Sequence, residues 1–242
     1  MILLLDVGNT RVKWAWLEYL EIAPSGAVAH DATHRSWQGE IEADGHRPSR
    51  IVVANVAGPA FAAALTLWSR DHYAVEPEFI VARERLLGVT NGYLRPAALG
   101  VDRWLGLIAA WRSAPRPTLV VNSGTALTVD TLDGAGRHRG GLILPGVQML
   151  AETRARYAVG VELLPGRALD RLPPDPVPMT LAALADRALA EFAAATGAAP
   201  RLLLTGGDAQ VLEPYLSQTA EIVPELVLTG LAIVATRGDS GD

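Results

Sequence analysis

The sequence begins MILLLDVGNTRVKWAWL, residues 1–17, and this stretch decides the fold. Residues 1–5 form an apolar run that ends at Asp6, and residues 11–17 form a second run in which side-chain types alternate. Two such runs joined by a turn that contains Gly and Asn are typical of a β-hairpin. A glycine in the turn lets backbone N–H groups approach phosphate oxygens, and the threonine at its end adds a hydroxyl donor. The opening therefore predicts a hairpin whose turn is either an ordinary reverse turn or a phosphate-binding loop.

The same pattern restarts near the middle of the chain. Residues 122–124, Asn-Ser-Gly, align with residues 6–8, Asp-Val-Gly, at an offset of 116 in a chain of 242 residues. The second copy also continues into Thr125 and an alternating run, and a strand-to-helix turn comes late in each half. We interpret these matches as an internal duplication, with one half at residues 1–117 and the other at residues 118–242.

Further strands and helices follow from hydrophobic periodicity and from Gly and Pro positions. Residues 24–48 are polar and Gly-rich, so we expect an edge strand and loops there, and residues 164–179 are Pro-rich and without periodicity. Strands are predicted at residues 50–56, 79–81, 118–121, 126–130, 140–144 and 201–205, and helices at residues 60–70, 101–113, 147–158, 180–196 and 225–237.

The two glycine-rich turns are predicted to face one another across a cleft and to cradle a polyphosphate from both sides. Asp6 is placed to hold Mg²⁺ through water, because Mg²⁺ keeps much of its hydration shell. Lys13 is the only lysine beside twenty arginines. Its compact ammonium would neutralise charge on a transferred phosphoryl group, although chance retention on a strand surface is the alternative. The chain has no Gly-x-x-x-x-Gly-Lys-Ser/Thr motif, which disfavours a P-loop fold.

A second candidate site lies at residues 100–104, Gly-Val-Asp-Arg-Trp, at the start of a predicted helix. Asp102 is either a helix cap or a carboxylate that accepts a proton from an alcohol. Arg103 follows it in an apolar helix, where a guanidinium can hold an anion. Tyr93, in the preceding loop, is either a packed aromatic residue or a lid over a substrate.

Composition excludes several classes of protein and site. The net charge of −5 gives no sign of a nucleic-acid surface, and the absence of cysteine excludes disulfides and thiolate metal sites. No apolar run approaches the ~20 residues that span a bilayer, and there is no signal peptide, so we expect a cytoplasmic protein without membrane contact. The five histidines show no metal spacing and are expected at the surface, whereas the tryptophans at 14, 16 and 104 are expected in the core or at an interface.

Six motifs occur in order along the chain, at residues 6–10, 91–93, 99–104, 124–126, 140–146 and 205–208. In their order and approximate spacing they resemble those of the type III pantothenate kinases, a family that includes the Bvg accessory factors. The resemblance covers nearly the whole chain. It implies an α/β fold of duplicated RNase H-like domains, as in the actin and sugar-kinase superfamily, with a central ATP cleft. It also implies ATP-dependent phosphorylation of pantothenate, the first step of coenzyme A biosynthesis.

Matching positions carry the family's site residues onto this sequence. Asp102 would be the catalytic base on the primary hydroxyl of pantothenate, and Arg103 would orient the anionic substrate. The cofactors implied are Mg²⁺, held by Asp6 through water, and a monovalent cation, K⁺ or NH₄⁺. A homodimer with a composite active site is also implied. The ATP-binding residues would be Asp6, Val7, Gly8, Asn9, Thr10, Arg11, Val12, Lys13 and Thr125, and the pantothenate-binding residues Tyr93, Gly100, Val101, Asp102 and Arg103.

Two positions depart from the family pattern. Asn122 stands where the family has Asp at the monovalent-cation position, so an oxygen ligand is kept and a charge is lost. The stretch after residue 165 is shorter than in the family, and Thr180 is the nearest match to a threonine that reaches pantothenate from the partner subunit. These departures support an alternative reading, a nucleotide-binding regulator with weakened catalysis. The kinase is preferred, because Asp6, Thr10, Lys13, Asp102 and Arg103 are all present. A sugar or acetate kinase of the same superfamily is disfavoured by the small size of the chain and by the Gly-x-Asp-Arg loop.

Overall fold

The structure is a computed structural model that describes residues 1–30, 36–157 and 175–237. The chain divides into two compact units. The first unit comprises Met1–Ala114 together with the C-terminal residues from Glu225 onward, and the second comprises Pro115–Pro224.

Twelve strands are described, most of them in two five-stranded sheets. The sheet of the first unit has the order β3-β2-β1-β4-β5 and that of the second unit the order β10-β9-β8-β11-β12, while β6 and β7 pair with each other. The strands are β1 Ile2–Val7, β2 Arg11–Glu18, β3 Glu21–Ala29, β4 Arg50–Asn55, β5 Pro77–Phe79, β6 Arg85–Leu86, β7 Val89–Thr90, β8 Thr118–Ser123, β9 Ala126–Leu132, β10 His138–Pro145, β11 Arg201–Thr205 and β12 Glu221–Ile222.

Seven α-helices are described, four in the first unit and three in the second, with short 3₁₀ turns at Pro96–Ala98 and Glu213–Tyr215. The longest carries Asp175 as its N-cap and a proline in its first turn, a combination that favours a helix start. The helices are α1 Ser36–Ala43, α2 Pro59–Tyr73, α3 Val101–Ser113, α4 Val147–Tyr157, α5 Pro176–Thr196, α6 Ala209–Leu212 and α7 Leu226–Arg237.

The first sheet is covered on both faces. Because side chains alternate along a strand, Leu3, Leu5 and Val7 of β1 share one face, where they join a core cluster with aromatic residues of α1 and α2. Helices α3 and α7 pack against each other, and both contact strands of this sheet. They approach so closely that a Cβ at Gly230 would lie 2.1 Å from the carbonyl oxygen of Leu105.

The second sheet repeats the arrangement of the first. In each sheet a three-stranded antiparallel meander is followed by two parallel strands. Helix α5 packs on one face, where Leu181, Ala185 and Leu189 join the residues of β8 and β9 that face it. The predicted duplicated α/β fold is therefore confirmed at the level of strand order, pairing and direction.

Most predicted elements agree with the described ones to within a few residues. Two regions differ. Residues 24–48, expected to hold a strand and loops, also contain helix α1, which buries Trp37 and Ile41 although its surroundings in sequence are polar. The end of the Pro-rich stretch is helical, since α5 begins at Pro176, and the rest of that stretch lies outside the described residues.

The C-terminal helix bears on the predicted division into halves. Helix α7 packs on α3 in the first unit, so the compact units do not follow the boundaries 1–117 and 118–242 at the C-terminal end. Within the described residues, no helix is both long enough and apolar enough to cross a membrane.

Candidate active site

The turn between β1 and β2 is closed by backbone hydrogen bonds. The N–H of Gly8 donates to the carbonyl oxygen of Arg11 at 3.0 Å, and the N–H of Val56 donates to that of Val7 at 2.9 Å. Asn9 and Thr10 at the tip are exposed. The structure thus places the predicted phosphate turn at an accessible end of two buried strands.

Three charged side chains surround the base of this turn. Asp6 and Lys13 are opposite one another in the β1–β2 ladder, and the Lys13 ammonium lies 3.7 Å from a carboxylate oxygen of Glu225. The pKa of Asp6 is raised to about 7: burial is the largest cause, the negative charges of Asp102 and Glu225 also raise it, and Lys13 lowers it. A carboxyl group with this pKa gains most from a nearby cation, which would favour its ionised form.

The carboxylate of Asp6 suits a hard cation such as Mg²⁺, but the described side chains around it cannot complete a metal site. Carboxylate oxygens are ligands that Mg²⁺ prefers. The described residues contain no group of three His, Asp or Glu side chains that could hold a metal on their own. A magnesium ion beside Asp6 would therefore be held through water, since Mg²⁺ at nucleotide sites usually keeps several waters and binds phosphate oxygens.

Asp102 lies in the first turn of α3, but it does not cap that helix. Gly100 occupies the N-cap position, and no side chain makes a capping hydrogen bond. A Cβ on Gly100 would lie 2.6 Å from Asp102 Oδ1, so the glycine leaves room for the carboxylate to fold back over it. Because its charge acts on Asp6, Asp102 is near the base of the phosphate turn within the same unit.

Arg103 and Tyr93 form a contact beside this carboxylate. Arg103 is 6% exposed, and its Nη1 donates to the Tyr93 hydroxyl oxygen at 3.1 Å. Buried Asn91 organises the loop that carries Tyr93: its amide donates to the carbonyl oxygens of Arg83 and Pro96, and its Oδ1 accepts from the Tyr93 N–H. The guanidinium and the phenol therefore present a fixed polar pair.

The second turn, between β8 and β9, is packed by glycines. The Gly146 N–H donates to the carbonyl oxygen of Thr125 at 3.0 Å, and a Cβ on Gly146 would lie 2.0 Å from that of Gly124. A Cβ on Gly206, whose φ is +95°, would lie 2.5 Å from Asn122 Oδ1. Both glycines are needed where they stand, because any side chain there would overlap the turn.

Asp208 adds a half-buried carboxyl group to this second turn. Its N–H donates to the carbonyl oxygen of Ser123 at 2.9 Å, and burial raises its pKa. Thr125 is exposed at the tip, and Asn122 is half-buried beneath it. The second turn is one residue shorter than the first, because the Gly124 N–H donates to the carbonyl oxygen of Ala126. It also has no lysine beside it, since the residue opposite Asn122 is Thr128.

Thr180 belongs to the second unit. It is exposed on α5, and its hydroxyl donates to the carbonyl oxygen of Pro176 at 2.8 Å within the same helix.

Sequence reasoning missed three residues of the first unit. Glu225 has no motif around it and lies far along the chain from the groups it faces. Asn91 belongs to a motif, yet its role in shaping the loop needs the structure. His30, grouped with surface histidines, is half-buried and contacts the carbonyl oxygen of Gly8. The expectation that all histidines lie at the surface is wrong for His138 as well, since it is 2% exposed.

Comparison with known proteins gives a consistent family. Residues 2–170 match the family model described as type III pantothenate kinase. A type III pantothenate kinase from Nitrosococcus oceani is 36% identical, over 97% of this chain and 94% of that protein. Another from Azoarcus sp. strain BH72 is 38% identical, over the whole of this chain and 93% of that protein.

Solved structures show the same fold at low identity. The ethanolamine utilization protein EutJ from Carboxydothermus hydrogenoformans matches with a TM-score of 0.55 at 10% identity, over 96% of this chain and 88% of that one. A ROK family glucokinase from Streptomyces griseus, in complex with glucose and AMPPNP, matches with a TM-score of 0.50 at 14% identity, over 97% and 98%. The predicted actin and sugar-kinase fold is confirmed by these matches. With its six ordered motifs and full-length relatives, the chain belongs to the type III pantothenate kinase family.

Proposed function

We propose that this chain transfers the γ-phosphoryl group of ATP to the primary hydroxyl of pantothenate, the first step of coenzyme A biosynthesis, in the cytoplasm. The observation that carries the proposal is the grouping of Asp102, Asp6 and Lys13 in one unit of a family member. A base and a cationic phosphate-binding turn are the two parts that phosphoryl transfer to an alcohol requires.

Asp102 is the proposed catalytic base. Its carboxylate accepts the proton of the hydroxyl, the oxygen of that hydroxyl forms a bond to the γ-phosphorus, and the bond to the β–γ bridging oxygen breaks to release ADP. The first turn of α3 suits this role because the helix N-terminus favours the ionised carboxylate.

The proposed ATP site comprises residues 6–13 with Thr125. The turn amides and Thr10 bind phosphate oxygens, and the Lys13 ammonium neutralises charge that develops on the transferred group. Bound Mg²⁺, held by Asp6 through water, would screen the phosphate oxygens. A monovalent cation, K⁺ or NH₄⁺, is proposed at Asn122, whose amide oxygen is a suitable neutral ligand.

The proposed pantothenate site comprises Tyr93 and residues 100–103. Arg103 pairs with the substrate carboxylate, since a guanidinium matches a carboxylate in charge and geometry. A homodimer would complete the site with Thr180 of the second copy. A second copy would also cover exposed apolar residues of the second unit: Leu142 and Ile143 on the edge strand β10, and Met149 on α4.

Pantothenate-dependent release of ADP from Mg-ATP, with the product identified by mass spectrometry, tests the proposal. Asp102→Asn should lower kcat by about 10³-fold, because general-base catalysis contributes up to about 10⁴-fold. Asp71→Asn, at an exposed position on α2, is the matched control and should leave kcat unchanged. Normal turnover by Asp102→Asn would refute the role of Asp102.

Asn122 favours a second candidate function, a nucleotide-binding regulator that retains the ATP site without turnover. The neutral amide would weaken cation binding at a position where the family carries a charge. ATP binding without turnover in Na⁺, K⁺ or NH₄⁺ would favour this second function and refute the first.

A further inference from the structure

The first phosphate turn is held by a residue outside the six motifs. His30 directly follows β3, and its backbone N–H donates to the carbonyl oxygen of Thr10 at 2.9 Å. Its ring Nε2 lies 2.7 Å from the carbonyl oxygen of Gly8. A carbonyl oxygen only accepts hydrogen bonds, so Nε2 carries the proton and donates. One residue therefore fastens two peptide groups of the same turn.

Packing fixes the orientation of the His30 ring. Its centroid lies 4.8 Å from that of Phe61 in α2, and Phe61 packs in turn on Trp37 at 5.2 Å. His30 Nδ1 is buried, with no hydrogen-bond partner among the residues that the structure describes. Among the described residues, the carbonyl oxygen of Gly8 is thus the polar group that the ring contacts, and the ring also packs against the aromatic residues of the core.

The contact with Gly8 sets the direction of the next amide. In a planar trans peptide the C=O and N–H bonds point in opposite directions. Because the Gly8 oxygen points at the imidazole, the N–H of Asn9 points away from it, at the exposed tip of the turn. A backbone N–H held in this way is pre-oriented for an anion.

In the second unit, the position that corresponds to His30 is a glycine. Ala29 pairs with Arg11 and Pro145 pairs with Ala126, so Gly146 is the counterpart of His30. Its N–H makes the equivalent bond, to Thr125, but a Cβ there would overlap the carbonyl oxygen of Gly124. Close backbone packing replaces the imidazole at this position.

We propose that His30, as its Nε2–H tautomer, is a positioning residue that holds the Gly8–Asn9 peptide in the orientation that binds a phosphate of ATP. The connection with ATP rests on the proposed function. The hydrogen bond and its effect on the turn are properties of the protein without nucleotide.

Steady-state kinetics of three variants test the role in ATP binding. His30→Phe keeps a ring against Phe61 and removes the donor, and His30→Gln keeps an N–H at the position of Nε2. We expect His30→Phe to raise the KM for ATP about tenfold, with the KM for pantothenate within about twofold of wild type, because one oriented hydrogen bond is at stake. His30→Gln should restore most of the loss, and His30→Ala should resemble His30→Phe. An unchanged KM for ATP in His30→Phe, or no rescue by Gln, would overturn the proposal.

A measurement without nucleotide separates this proposal from the proposed function. Histidine ¹⁵N NMR of the full chain, with His30 assigned by its loss in His30→Gln, should show a proton on Nε2. Amide exchange at Gly8, whose N–H closes the turn by donating to the carbonyl oxygen of Arg11, should be about tenfold faster in His30→Phe than in wild type or His30→Gln. A proton on Nδ1, or equal exchange in all three proteins, would overturn the positioning role of His30 even if the enzyme is active. If the Nε2 proton and the faster exchange are observed in a protein without turnover, the proposed kinase activity is refuted and the positioning role of His30 is supported.

Discussion

The two five-stranded sheets share one strand order, yet their first turns are stabilised by different means. In the first sheet, Asp6 stands opposite Lys13, and the side chain of His30 holds the turn. In the second sheet, Asn122 stands opposite Thr128, and glycines pack directly against the turn. The comparison shows that a duplicated backbone can place a carboxylate opposite a lysine in one copy, and an amide opposite a threonine with closely packed glycines in the other. We therefore expect the first turn, rather than the second, to hold a metal-bound phosphate.

The largest expected effect is a loss of stability when the close glycine packing of the second turn is disrupted. Gly146→Ala should lower the free energy of unfolding by about 3 kcal/mol, because its Cβ would overlap backbone atoms that cannot move aside. Gly207→Ala is the control, since a Cβ there meets nothing within 4 Å. Chemical denaturation measures both variants. A Gly146→Ala protein as stable as Gly207→Ala would show that the second turn is not closely packed.

The charge on the first turn predicts a stabilising substitution. Asp6→Asn should raise the free energy of unfolding of the metal-free protein at pH 8, because it replaces a carboxylate that is costly to ionise. The gain should be about 2 kcal/mol, half of the ~4 kcal/mol that about three pKa units represent, because Asp6 is partly exposed to solvent. The pKa of Asp6 rises from 3.8 in the unfolded chain to about 7 in the folded one. The wild type therefore loses stability as pH rises through this window, and the gain from Asn should be full above pH 7 and vanish below about pH 4.

Thermal denaturation of the two proteins across pH 4–8 measures this difference. Asp71→Asn is again the control, since its carboxylate is exposed and its replacement should not produce a pH-dependent gain. A constant difference between Asp6→Asn and wild type across the range would contradict the raised pKa.

Adding a carboxylate at position 122 of the second turn should have a smaller effect, which is on turnover. Asn122→Asp should increase turnover, or its dependence on K⁺ and NH₄⁺, by a few-fold, because an added carboxylate strengthens cation binding by about 1 kcal/mol at a partly solvated position. ADP release measured over a series of K⁺ and NH₄⁺ concentrations checks this. An unchanged response to both cations would show that the charge at position 122 is not limiting.

The smallest expected effect concerns an ion pair that occurs at the same place in both sheets. Arg50 binds Glu78 between β4 and β5, and Arg201 binds Glu221 between β11 and β12. The arginine hydrogen bonds lower the pKa of each glutamate. The side chain of Arg201 is 6% exposed and that of Arg50 is 41% exposed. Removing the partner of the more buried guanidinium costs more, so Glu221→Gln should be more destabilising than Glu78→Gln.

Denaturation at pH 7 should give losses of about 1 kcal/mol for Glu221→Gln and less for Glu78→Gln. Both losses should disappear as pH falls through the lowered folded pKa values, because the wild-type glutamates then become protonated. The reverse order at pH 7 would contradict the difference in burial.

Much of the fold was predictable because its signals are local. The hairpin at residues 1–17 and helix α3 follow from short patterns of apolar residues and turns, and the repeat of the first turn predicts the second sheet. Helix α1 was missed because only two of its residues, Trp37 and Ile41, are buried, and its position depends on partners elsewhere in the chain. Tertiary packing here outweighs a polar local sequence.

The candidate site was predictable only where a motif carries it. Asp6, Lys13 and Asp102 lie in or directly beside recognisable motifs, and the structure groups their charges. Glu225 and His30 lie in no motif, since their roles arise from distances to residues far away in sequence. Contacts of this kind depend on strand register, which a single sequence does not reveal.

The central claim is that the first turn, and not the second, carries the metal-dependent part of ATP binding. Calorimetric titration of ATP with and without Mg²⁺, into wild type, Asp6→Asn and Asn122→Ala, tests it most directly. We expect Mg²⁺ to tighten ATP binding by wild type and by Asn122→Ala, and to have no effect on binding by Asp6→Asn. An Asp6→Asn protein that still gains from Mg²⁺, or an Asn122→Ala protein that does not, would contradict the claim.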